Sequence, residues 1–418
     1  MATSVTRTAW LASVGTWKYS SIYPRTLLNA PVFLSAPKST IIHIPRRTLF
    51  VLPFGIDVGV LGLAAYYMTK LKKPDPDNVY NIFGPEPGTK ESEQHPERVV
   101  KCIAHRGAGL DAPENTLHCV ERDCNFVELD VRTSKDGHLV LLHDQGLERL
   151  TGTNIPDVHI MDWESIKHID VGATHPNRQQ FKEAHLCLLE EAVDYLLANN
   201  VKMIIDVKGE DQEVVNGILK AFATQPVLYK YAVVTSFNPF VLYKIRNKDS
   251  QIVGAMSYRP YCFSATSYDA ENGPSNPRFG DRLMLHALLR AADFLHSLLW
   301  RLTARWCSVS AVLLHKDIVS PEVQYWRSLG IRCAGWCVNR PLEKLYWRAV
   351  LKAPYLANTL LGEPEVFRLL NSIYTISKST SALPKMGPSQ GAARGGHRCV
   401  PLEIPESSQS AEAATGGF

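Results

Sequence analysis

From Val99 onward, short apolar runs rich in β-branched residues alternate with stretches whose apolar residues recur every three or four positions. The short runs are typical of buried strands, and the longer periodicity predicts amphipathic helices. The predicted strands are Val99–His105, Phe126–Val131, Lys202–Asp206, Ala232–Ser236, Ile252–Met256, Val309–Leu314, Ile331–Cys337 and Tyr355–Ala357. The predicted helices are Leu189–Ala198, Gln212–Phe222, Pro239–Asn247, Pro321–Leu329 and Leu342–Lys352.

This alternation continues for about 260 residues, which predicts an α/β protein with a (β/α)8 TIM barrel of parallel strands. Two insertions interrupt it. Residues 133–185 follow the second strand, and the turn Lys135-Asp-Gly137 predicts an inserted hairpin. Residues 258–306 follow the fifth strand and end in a helix predicted at Asp281–Trp306.

The helix predicted at Asp281–Trp306 carries one narrow polar stripe on an otherwise apolar surface. The stripe is mostly basic and consists of Arg282, His286, Arg290, Asp293, Ser297, Arg301 and Arg305. Such an amphipathic helix is typical of one that lies in a membrane surface. A helix packed on the barrel or on a partner protein has the same pattern, and both interpretations stay open.

A basic segment without Asp or Glu precedes a long apolar run at the N-terminus. Residues 1–48 have the composition of a targeting peptide or a basic disordered extension. Leu49–Met68 contains a single charge, Asp57, and is long enough to cross a bilayer, so we predict a membrane anchor at 49–69. Basic residues are in excess on its N-terminal side, which favours a lumenal or extracellular position for the remaining chain. We therefore expect the protein at an endomembrane or the plasma membrane, with mitochondria as the alternative that the N-terminal composition suggests.

Composition divides the rest of the chain into three parts. Residues 70–98 are rich in Pro, Asp, Asn and Gly, which predicts a linker. Residues 99–372 contain the barrel domain. Residues 373–418 are rich in Ser, Gly, Ala and Pro, which predicts a disordered tail.

Charge and cysteine content argue against a nucleic-acid-binding protein and against a protein built on a regular disulfide framework. The net charge of +4 is small for 418 residues, so binding to nucleic acid is not predicted. The nine cysteines follow no regular spacing, so they read as plain buried thiols. The sequence indicates no particular oligomeric state.

Two carboxylates occupy alternate positions on the second predicted strand. Glu128 and Asp130 are two residues apart, so their side chains point to one face, the barrel interior near its C-terminal mouth. Asp206 ends the next strand and can complete the set. A divalent cation would relieve the repulsion among buried carboxylates, and hard oxygen ligands favour Mg²⁺ or Ca²⁺. The alternative is a set of carboxylates paired with Arg106 or Lys208 without a metal.

Two histidines accompany these carboxylates. His105 ends the first strand together with Arg106, and His143 ends an apolar run in the inserted hairpin. One histidine can act as general base and the other as general acid, because the unperturbed pKa of histidine lies near neutrality. Arg106 and Lys208 are predicted to contact phosphate oxygens.

Three further residues are candidates for supporting roles. Glu114 and Asn115 fit either the orientation of Arg106 or a metal ligand, or the cap of a helix starting near Thr116. Trp336, at the end of the seventh strand, fits an apolar wall against a glycerol or lipid moiety, or ordinary core packing.

These residues resemble the glycerophosphodiester phosphodiesterases, in particular the membrane-associated type 1 branch. The resemblance covers about Val99 to Phe367 and is carried by His105-Arg-Gly107, Pro113-Glu-Asn-Thr116, Glu128-Leu-Asp130, Lys135-Asp-Gly137, His143-Asp144, Asp206-Val-Lys208, Ser236-Phe-Asn-Pro239, Tyr258-Arg-Pro260, Leu314-His-Lys-Asp-Ile-Val-Ser-Pro321 and Gly335-Trp-Cys-Val-Asn339.

The resemblance implies a TIM barrel with a divalent metal, usually Mg²⁺, with Ca²⁺ or Mn²⁺ as alternatives. It places the metal ligands at Glu128, Asp130 and Asp206 and the acid/base pair at His105 and His143. It also implies hydrolysis of glycerophosphodiesters, such as glycerophosphoinositol or glycerophospho-N-acylethanolamines, to glycerol 3-phosphate and the head-group alcohol. In related enzymes the glycerol 2-hydroxyl attacks phosphorus, and water then opens the cyclic phosphate.

The sequence departs from the family pattern at two places. The segment between Thr116 and Glu128 is shorter by about four residues, roughly one helical turn. The last strand leads into Tyr355-Leu-Ala-Asn-Thr359, where the family often has Thr-Asp. Two alternative functions follow. One is a weakly active barrel that acts as a membrane interaction protein, and the other is a lysophospholipase D-type enzyme that makes a cyclic phosphate.

Overall fold

The computed structural model describes residues 54–120, 125–181, 183–269, 273–274, 276–316, 320–361 and 372. The extension predicted at 1–48, residues 49–53 of the predicted anchor and the tail predicted at 373–418 lie outside these residues. The chain divides into the compact units Met1–Asn371 and Ser372–Phe418, and all the elements below belong to the first unit.

Eight parallel strands form a closed barrel, as predicted. β1 pairs with β2 on one side and with β11 on the other, which closes the sheet. The strands are β1 (Cys102–Ala104), β2 (Phe126–Thr133), β3 (Leu139–Leu141), β4 (Lys202–Val207), β5 (Ala232–Ser236), β6 (Val253–Tyr258), β7 (Tyr268–Asp269), β8 (Gly273–Pro274), β9 (Ala311–His315), β10 (Arg332–Trp336) and β11 (Tyr355–Ala357). β3 is an antiparallel addition beside β2, and β7 and β8 form a separate hairpin in the second insertion.

Helices surround the barrel and begin at recognisable caps. The Asp211 side chain accepts the Val214 N–H, and the Asn238 side chain accepts the Phe240 N–H, so α8 and α9 start there. The helices are α1 (Phe54–Thr69), α2 (Pro76–Phe83), α3 (Lys90–Gln94), α4 (Leu117–Val120), α5 (Glu148–Thr151), α6 (Trp163–Ile166), α7 (Leu189–Ala198), α8 (Gln212–Thr224), α9 (Pro239–Lys248), α10 (Leu283–Trp306), α11 (Ser320–Ser328) and α12 (Pro341–Leu345). A π-helical turn at Tyr346–Val350 continues α12.

The inserted hairpin after β2 is present as predicted. β2 and β3 are antiparallel, with Val131 opposite Leu141, and Gly137 turns the chain with a φ of 87°. The segment that follows β3 packs around its own apolar cluster, which includes Leu147, Val158 and Ile166. The insertion is therefore a small lobe with a core of its own beside the barrel.

The segment predicted as a linker, 70–98, is folded against the barrel. Its Asp75-Pro76 pair, typical of a loop, begins α2 instead, because the Asp75 side chain accepts the Asp77 N–H at 2.9 Å. Ile82 and Phe83 of α2 are buried in a cluster with inward-facing strand residues such as Phe126. The prediction of a linker was therefore wrong for this stretch.

α10 packs inward through its buried residues Asp293, Trp300 and Ala304. Buried Asp293 accepts the Phe263 N–H at 2.9 Å and the Ser264 N–H at 3.2 Å, and Arg301 is ion-paired with Glu322. The exposed residues are mostly apolar: Leu283, Met284, Leu288, Phe294, Leu295, Leu298, Leu299 and Leu302. Helical periodicity predicted the stripe, but it could not indicate which side faces the protein.

α1 covers most of the predicted membrane anchor. Within the described residues, every helix falls short of the length or the apolar character that crossing a membrane requires. The prediction of a transmembrane helix is thus not supported there.

Candidate active site

Three carboxylates converge at the C-terminal end of β2 and β4. Phe126 packs inside the barrel, and the alternation along β2 places Glu128 and Asp130 on the same inward face. In the parallel register Asp130 lies opposite Asp206 of β4. One oxygen of each of Glu128, Asp130 and Asp206 lies within 4.8 Å of the other two, and all three residues are buried.

Lys208 partly neutralises this cluster. Its Nζ lies 2.6 Å from Asp206 Oδ2 and 3.0 Å from Asp130 Oδ1. Burial alone would raise the pKa of Asp130, but Lys208, His143 and Arg106 outweigh it and hold that pKa well below its ordinary value. The contact predicted between Lys208 and a phosphate stays a prediction.

Glu128 carries the least compensated charge of the three. Burial first, and then the charges of Asp130 and Asp206, raise its pKa well above the ordinary value. Its Oε2 lies 3.7 Å from His105 Nε2. The site therefore stabilises an additional positive charge at this carboxylate.

The cluster fits a hard divalent cation. Among the described residues, Oδ1 of Asp206 is a buried oxygen without a hydrogen-bond partner. An unpartnered buried carboxylate oxygen is costly, and a cation would satisfy it. Oxygen donors alone are the ligand set of Mg²⁺, Ca²⁺ or Mn²⁺ rather than zinc.

The turn after β1 adopts a strained backbone at this cluster. Arg106, Gly107 and Ala108 all have positive φ, of 53°, 73° and 68°, which only glycine adopts easily. The turn directs the Arg106 N–H at Glu128 Oε2, 2.8 Å away. A sparsely populated backbone conformation is thus maintained beside the candidate metal ligands.

His105 is buried and neutral. Its Nδ1 bonds Oδ1 of Asn358, a residue just beyond β11. Burial first, and then the charge of Arg106, lower the pKa of His105 to about 3. If Nδ1 carries the proton for Asn358, Nε2 is left as an acceptor that faces the carboxylates. Beyond the unusual end of the last strand, no sequence signal pointed to Asn358.

His143 comes from the inserted lobe and is also neutral. Its Nδ1 lies 2.7 Å from Asp144 Oδ1, and Arg132 donates to its backbone carbonyl at 2.8 and 3.0 Å. Burial first, and then Arg106, lower the pKa of His143 to about 4. Asp144 therefore orients the ring and leaves Nε2 available as a proton acceptor.

Glu114 and Asn115 contact the site rather than a helix start. An Oε of Glu114 lies 3.2 Å from a terminal nitrogen of Arg106. Nδ2 of Asn115 donates to Asp130 Oδ2 at 2.8 Å, and the Asp130 N–H donates back to Asn115 Oδ1 at 3.0 Å. Of the two interpretations of these residues, the contacts favour orientation of Arg106 and of a carboxylate.

Trp336 is half-buried at the end of β10. Its ring packs edge-on against His315 at 4.5 Å and Phe237 at 5.8 Å, and Nε1 donates to the Tyr258 carbonyl at 3.2 Å. Lys208 Nζ in turn lies 5.4 Å from the centre of the Phe237 ring. An aromatic wall thus runs from the carboxylate cluster toward the second insertion.

The two departures from the family pattern do not disturb the site. Leu117–Val120 form the short helix α4, and Glu128 and Asp130 still meet Asp206. β11 pairs with both β1 and β10, so the last strand completes the barrel. The shortening is therefore absorbed outside the carboxylate cluster.

The pattern of the glycerophosphoryl diester phosphodiesterase family matches residues 105–355, which include every site residue predicted from the sequence. The chain belongs to this family. Within the family, glycerophosphodiester phosphodiesterase 1 of Homo sapiens is 34% identical over 281 residues, which cover 65% of this chain and 81% of the human protein. The protein of that name from Bos taurus is 34% identical over 293 residues, covering 67% of this chain and 85% of the bovine one.

A solved structure agrees on the fold. A protein of Silicibacter pomeroyi DSS-3, described as a glycerophosphoryl diester phosphodiesterase, superposes with a TM-score of 0.50 and 18% identity. The superposition covers 71% of this chain and 98% of that one. Family membership and the named relatives make this chain a glycerophosphodiester phosphodiesterase.

Proposed function

We propose that this enzyme hydrolyses glycerophosphodiesters to glycerol 3-phosphate and the head-group alcohol, with a divalent cation held by Glu128, Asp130 and Asp206. The single observation that carries the proposal is the convergence of these three buried carboxylates beside two neutral histidines. Mg²⁺ is the proposed ion, with Ca²⁺ or Mn²⁺ as the alternatives. Such a cation would neutralise phosphate oxygens and lower the pKa of a bound hydroxyl.

The two histidines differ in the groups that support them. Asp144 holds Nδ1 of His143, and a carboxylate stabilises an imidazolium, so His143 is the better general base. His105 has only the Asn358 amide as its Nδ1 partner, so once protonated in the substrate complex it releases its proton more readily than His143 and serves as the acid toward the leaving alcohol. A bound phosphodiester brings negative charge, which raises both pKa values from those of the free enzyme.

Arg106 is the proposed phosphate ligand. Its guanidinium is charged at any working pH and lies close to Glu114 and Asp130, at 3.2 and 3.7 Å. Lys208 can turn from its carboxylates toward a phosphate oxygen when a cation takes its place. Trp336 and Phe237 provide an apolar surface for the glycerol or an attached lipid group.

The substrate range is proposed from the same site. Glycerophosphoinositol and glycerophospho-N-acylethanolamines share the glycerophosphoryl group that Arg106 and the cation would bind. The aromatic wall beside Lys208 supports acceptance of an apolar group. The lysophospholipase D alternative differs in its product, a cyclic phosphate. The alternative of a weakly active barrel rested on the shortened segment after Thr116, and the convergence of Glu128, Asp130 and Asp206 supports an active enzyme instead.

A substrate panel assayed with and without chelator tests the proposal. We expect release of glycerol 3-phosphate that depends on Mg²⁺ and is lost in EDTA. Phosphorus NMR of the products distinguishes the monoester from a cyclic phosphate. Equal turnover in EDTA would refute the metal, and a stable cyclic product would support the lysophospholipase D alternative.

We also propose that the exposed face of α10, together with α1, contacts a lipid bilayer. Leu283 and Met284 are 79% and 84% exposed, and Val60, Leu61, Leu63, Tyr67 and Met68 of α1 are exposed as well. The two helices meet where Trp306 Nε1 donates to Thr69 Oγ1 at 2.9 Å. Exposed apolar residues thus lie on both of two helices that contact each other.

Charge favours lipid over a protein partner as the occupant. Asp293, the acidic residue of α10, is buried and bonded to backbone, while Arg290 is exposed. Lys70, Lys72 and Lys73 follow α1 and are also exposed. Basic residues beside an apolar face attract anionic lipid headgroups. An endomembrane or plasma-membrane location, with the barrel lumenal or extracellular, is part of this proposal, and mitochondria are the alternative.

Sedimentation of the full chain with vesicles tests this surface. We expect binding to vesicles of phosphatidylcholine and phosphatidylserine, and a loss of at least about tenfold in Leu288→Asp/Leu295→Asp, because two exposed leucines leave the interface. Ile160→Asp, an exposed apolar residue of the inserted lobe, is the matched control. Undiminished binding of the double variant would exclude α10 as the contact.

A further inference from the structure

Arg149 of α5 bridges two carboxylates that come from different parts of the chain. Its Nε donates to Asp144 Oδ2 at 2.6 Å, and its two terminal nitrogens donate to the two oxygens of Glu114 at 3.0 and 2.6 Å. Glu114 lies in the loop after β1, and Asp144 lies in the inserted lobe. One guanidinium therefore joins the barrel to the lobe at the edge of the site.

Each of these carboxylates holds a group with a proposed role toward the phosphodiester. Asp144 bonds His143 Nδ1 at 2.7 Å, and Glu114 contacts the Arg106 guanidinium at 3.2 Å. The result is one continuous series, His143–Asp144–Arg149–Glu114–Arg106, with charges that alternate from Asp144 to Arg106. Arg149 is the central member, and its hydrogen bonds join the two halves of the series.

The geometry requires arginine. Three donors in one plane serve two carboxylates at once, which the single ammonium of lysine cannot reproduce. The guanidinium between the two carboxylates restrains both of them. Without it they would move apart, since two adjacent anions repel. Arg149 is 48% exposed, so it is not a core residue on which folding depends.

We propose that Arg149 is a positioning residue, which fixes the His143 imidazole and the Arg106 guanidinium relative to each other without touching the substrate. This inference rests on the proposed function, because it assigns His143 and Arg106 to proton transfer and phosphate binding. Without Arg149, Asp144 and Glu114 rotate apart. The His143 ring and the Arg106 guanidinium then lose their fixed orientations.

Steady-state kinetics with a glycerophosphodiester and Mg²⁺ provide the first test. We expect Arg149→Met to lower kcat about 10- to 100-fold, the range for a misplaced acid/base group, and to raise KM a few-fold through Arg106. Arg149→Lys restores the charge but not the fork and should recover only part of the rate. Arg178→Met is the matched control, because Arg178 is a half-buried arginine of the same lobe that is likewise paired with a carboxylate, Asp170, at 2.5 Å.

Nitrogen NMR of the histidine ring provides a readout that needs no turnover. In the wild type, His143 should show one fixed tautomer with the proton on Nδ1. Its signals are assigned by their loss in His143→Gln. Arg149→Met should give averaged Nδ1 and Nε2 shifts, while Arg178→Met leaves them unchanged. Thermal unfolding midpoints of the three proteins should agree, which separates positioning from a folding defect.

The outcomes separate this proposal from the function on which it rests. If the wild type hydrolyses no glycerophosphodiester but the NMR change appears, the proposed function fails and the role of Arg149 in orienting His143 stands. If kcat of Arg149→Met stays within twofold of wild type, or its His143 tautomer stays fixed, the positioning role is overturned.

Discussion

Asn115 and Asp130 bind each other through a reciprocal pair of hydrogen bonds, one from the Asn115 amide to Asp130 Oδ2 and one from the Asp130 backbone to Asn115 Oδ1. Asn115 itself has a φ of 57°, a conformation that asparagine tolerates better than most residues. The pair fixes the rotamer of the central carboxylate and leaves Asp130 Oδ1 toward Lys208. The orientation of a proposed metal ligand is thus set from the loop after β1.

Replacement of Asn115 by glycine tests this pair, because glycine accepts the positive φ without strain. We expect a free energy of unfolding lower by about 1–3 kcal/mol, since a buried carboxylate loses its donor, together with weaker Mg²⁺ binding. Urea unfolding and calorimetric titration measure the two effects. Asn200→Gly is the control at an exposed asparagine with a φ of 58°. Equal stability losses in both variants would assign the effect to the backbone instead.

Glu128→Gln should abolish most of the metal-dependent activity. The change removes one of the three converging carboxylates, so we expect kcat/KM for glycerol 3-phosphate release to fall at least about 100-fold. Mg²⁺ affinity should fall with it in a calorimetric titration. Glu190→Gln, an exposed glutamate of α7, should behave as wild type. A Glu128→Gln enzyme that still responds to Mg²⁺ at wild-type concentrations would contradict the assignment of this ligand.

Asn358→Ala should impair His105 without unfolding the barrel. Loss of the Nδ1 partner lets the ring rotate away from the carboxylates, so we expect kcat to fall about tenfold with little change in KM. Single-turnover assays at saturating substrate measure this. Asn216→Ala, on the exposed face of α8, is the control. A change confined to KM would indicate a role in binding the substrate instead.

The depressed pKa of His143 predicts a pH dependence of stability. The unfolded chain binds a proton at this histidine near pH 6.5, whereas the folded protein binds it only near pH 4. The contribution of neutral His143 to the free energy of unfolding is therefore complete above pH 6.5. It is lost as the pH falls from 6.5 to about 4, which lowers that free energy by roughly 1–3 kcal/mol. Urea unfolding at pH 7.5 and 4.5 in chelator should show a smaller difference for His143→Gln than for wild type. Identical differences would contradict the depressed pKa.

Gly335→Ala tests the packing behind the seventh barrel strand. A Cβ at this position would lie 2.6 Å from ring atoms of Trp347, which is buried and cannot retreat. We expect the free energy of unfolding to fall by about 1–3 kcal/mol, measured by urea unfolding. Gly59→Ala, where the space within 4 Å is empty, should be neutral or slightly stabilising. A neutral Gly335→Ala would mean that Trp347 has another rotamer available.

Local patterns were sufficient for the barrel and for the carboxylate cluster. β5, β11 and α7 begin and end at the predicted residues. The convergence of Glu128 and Asp130 follows from strand alternation alone. The first strand ends at Ala104 rather than at His105, because His105 begins the turn in which Arg106 has a left-handed backbone. Glu128 stabilises this turn by accepting the Arg106 N–H.

Contacts between distant residues could not be predicted in this way. His105 and Asn358 are 253 residues apart, and Arg149 is 35 residues from Glu114, so no local period connects them. The position of Lys208 between two carboxylates depends on side-chain rotamers. The inward position of Asp293 in α10 depends on backbone groups at Phe263 and Ser264, which the helix sequence does not contain.

The contact between His105 and Asn358 joins the first barrel strand to the last, so the seam of the sheet runs through the site itself. During synthesis, the ribosome releases His105 long before the residue that holds its ring. The carboxylates and Arg106 are therefore synthesised first, but the nascent chain cannot orient this histidine until residue 358 has emerged. The pairing of the last strand with the first therefore both closes the barrel and orients His105 for activity.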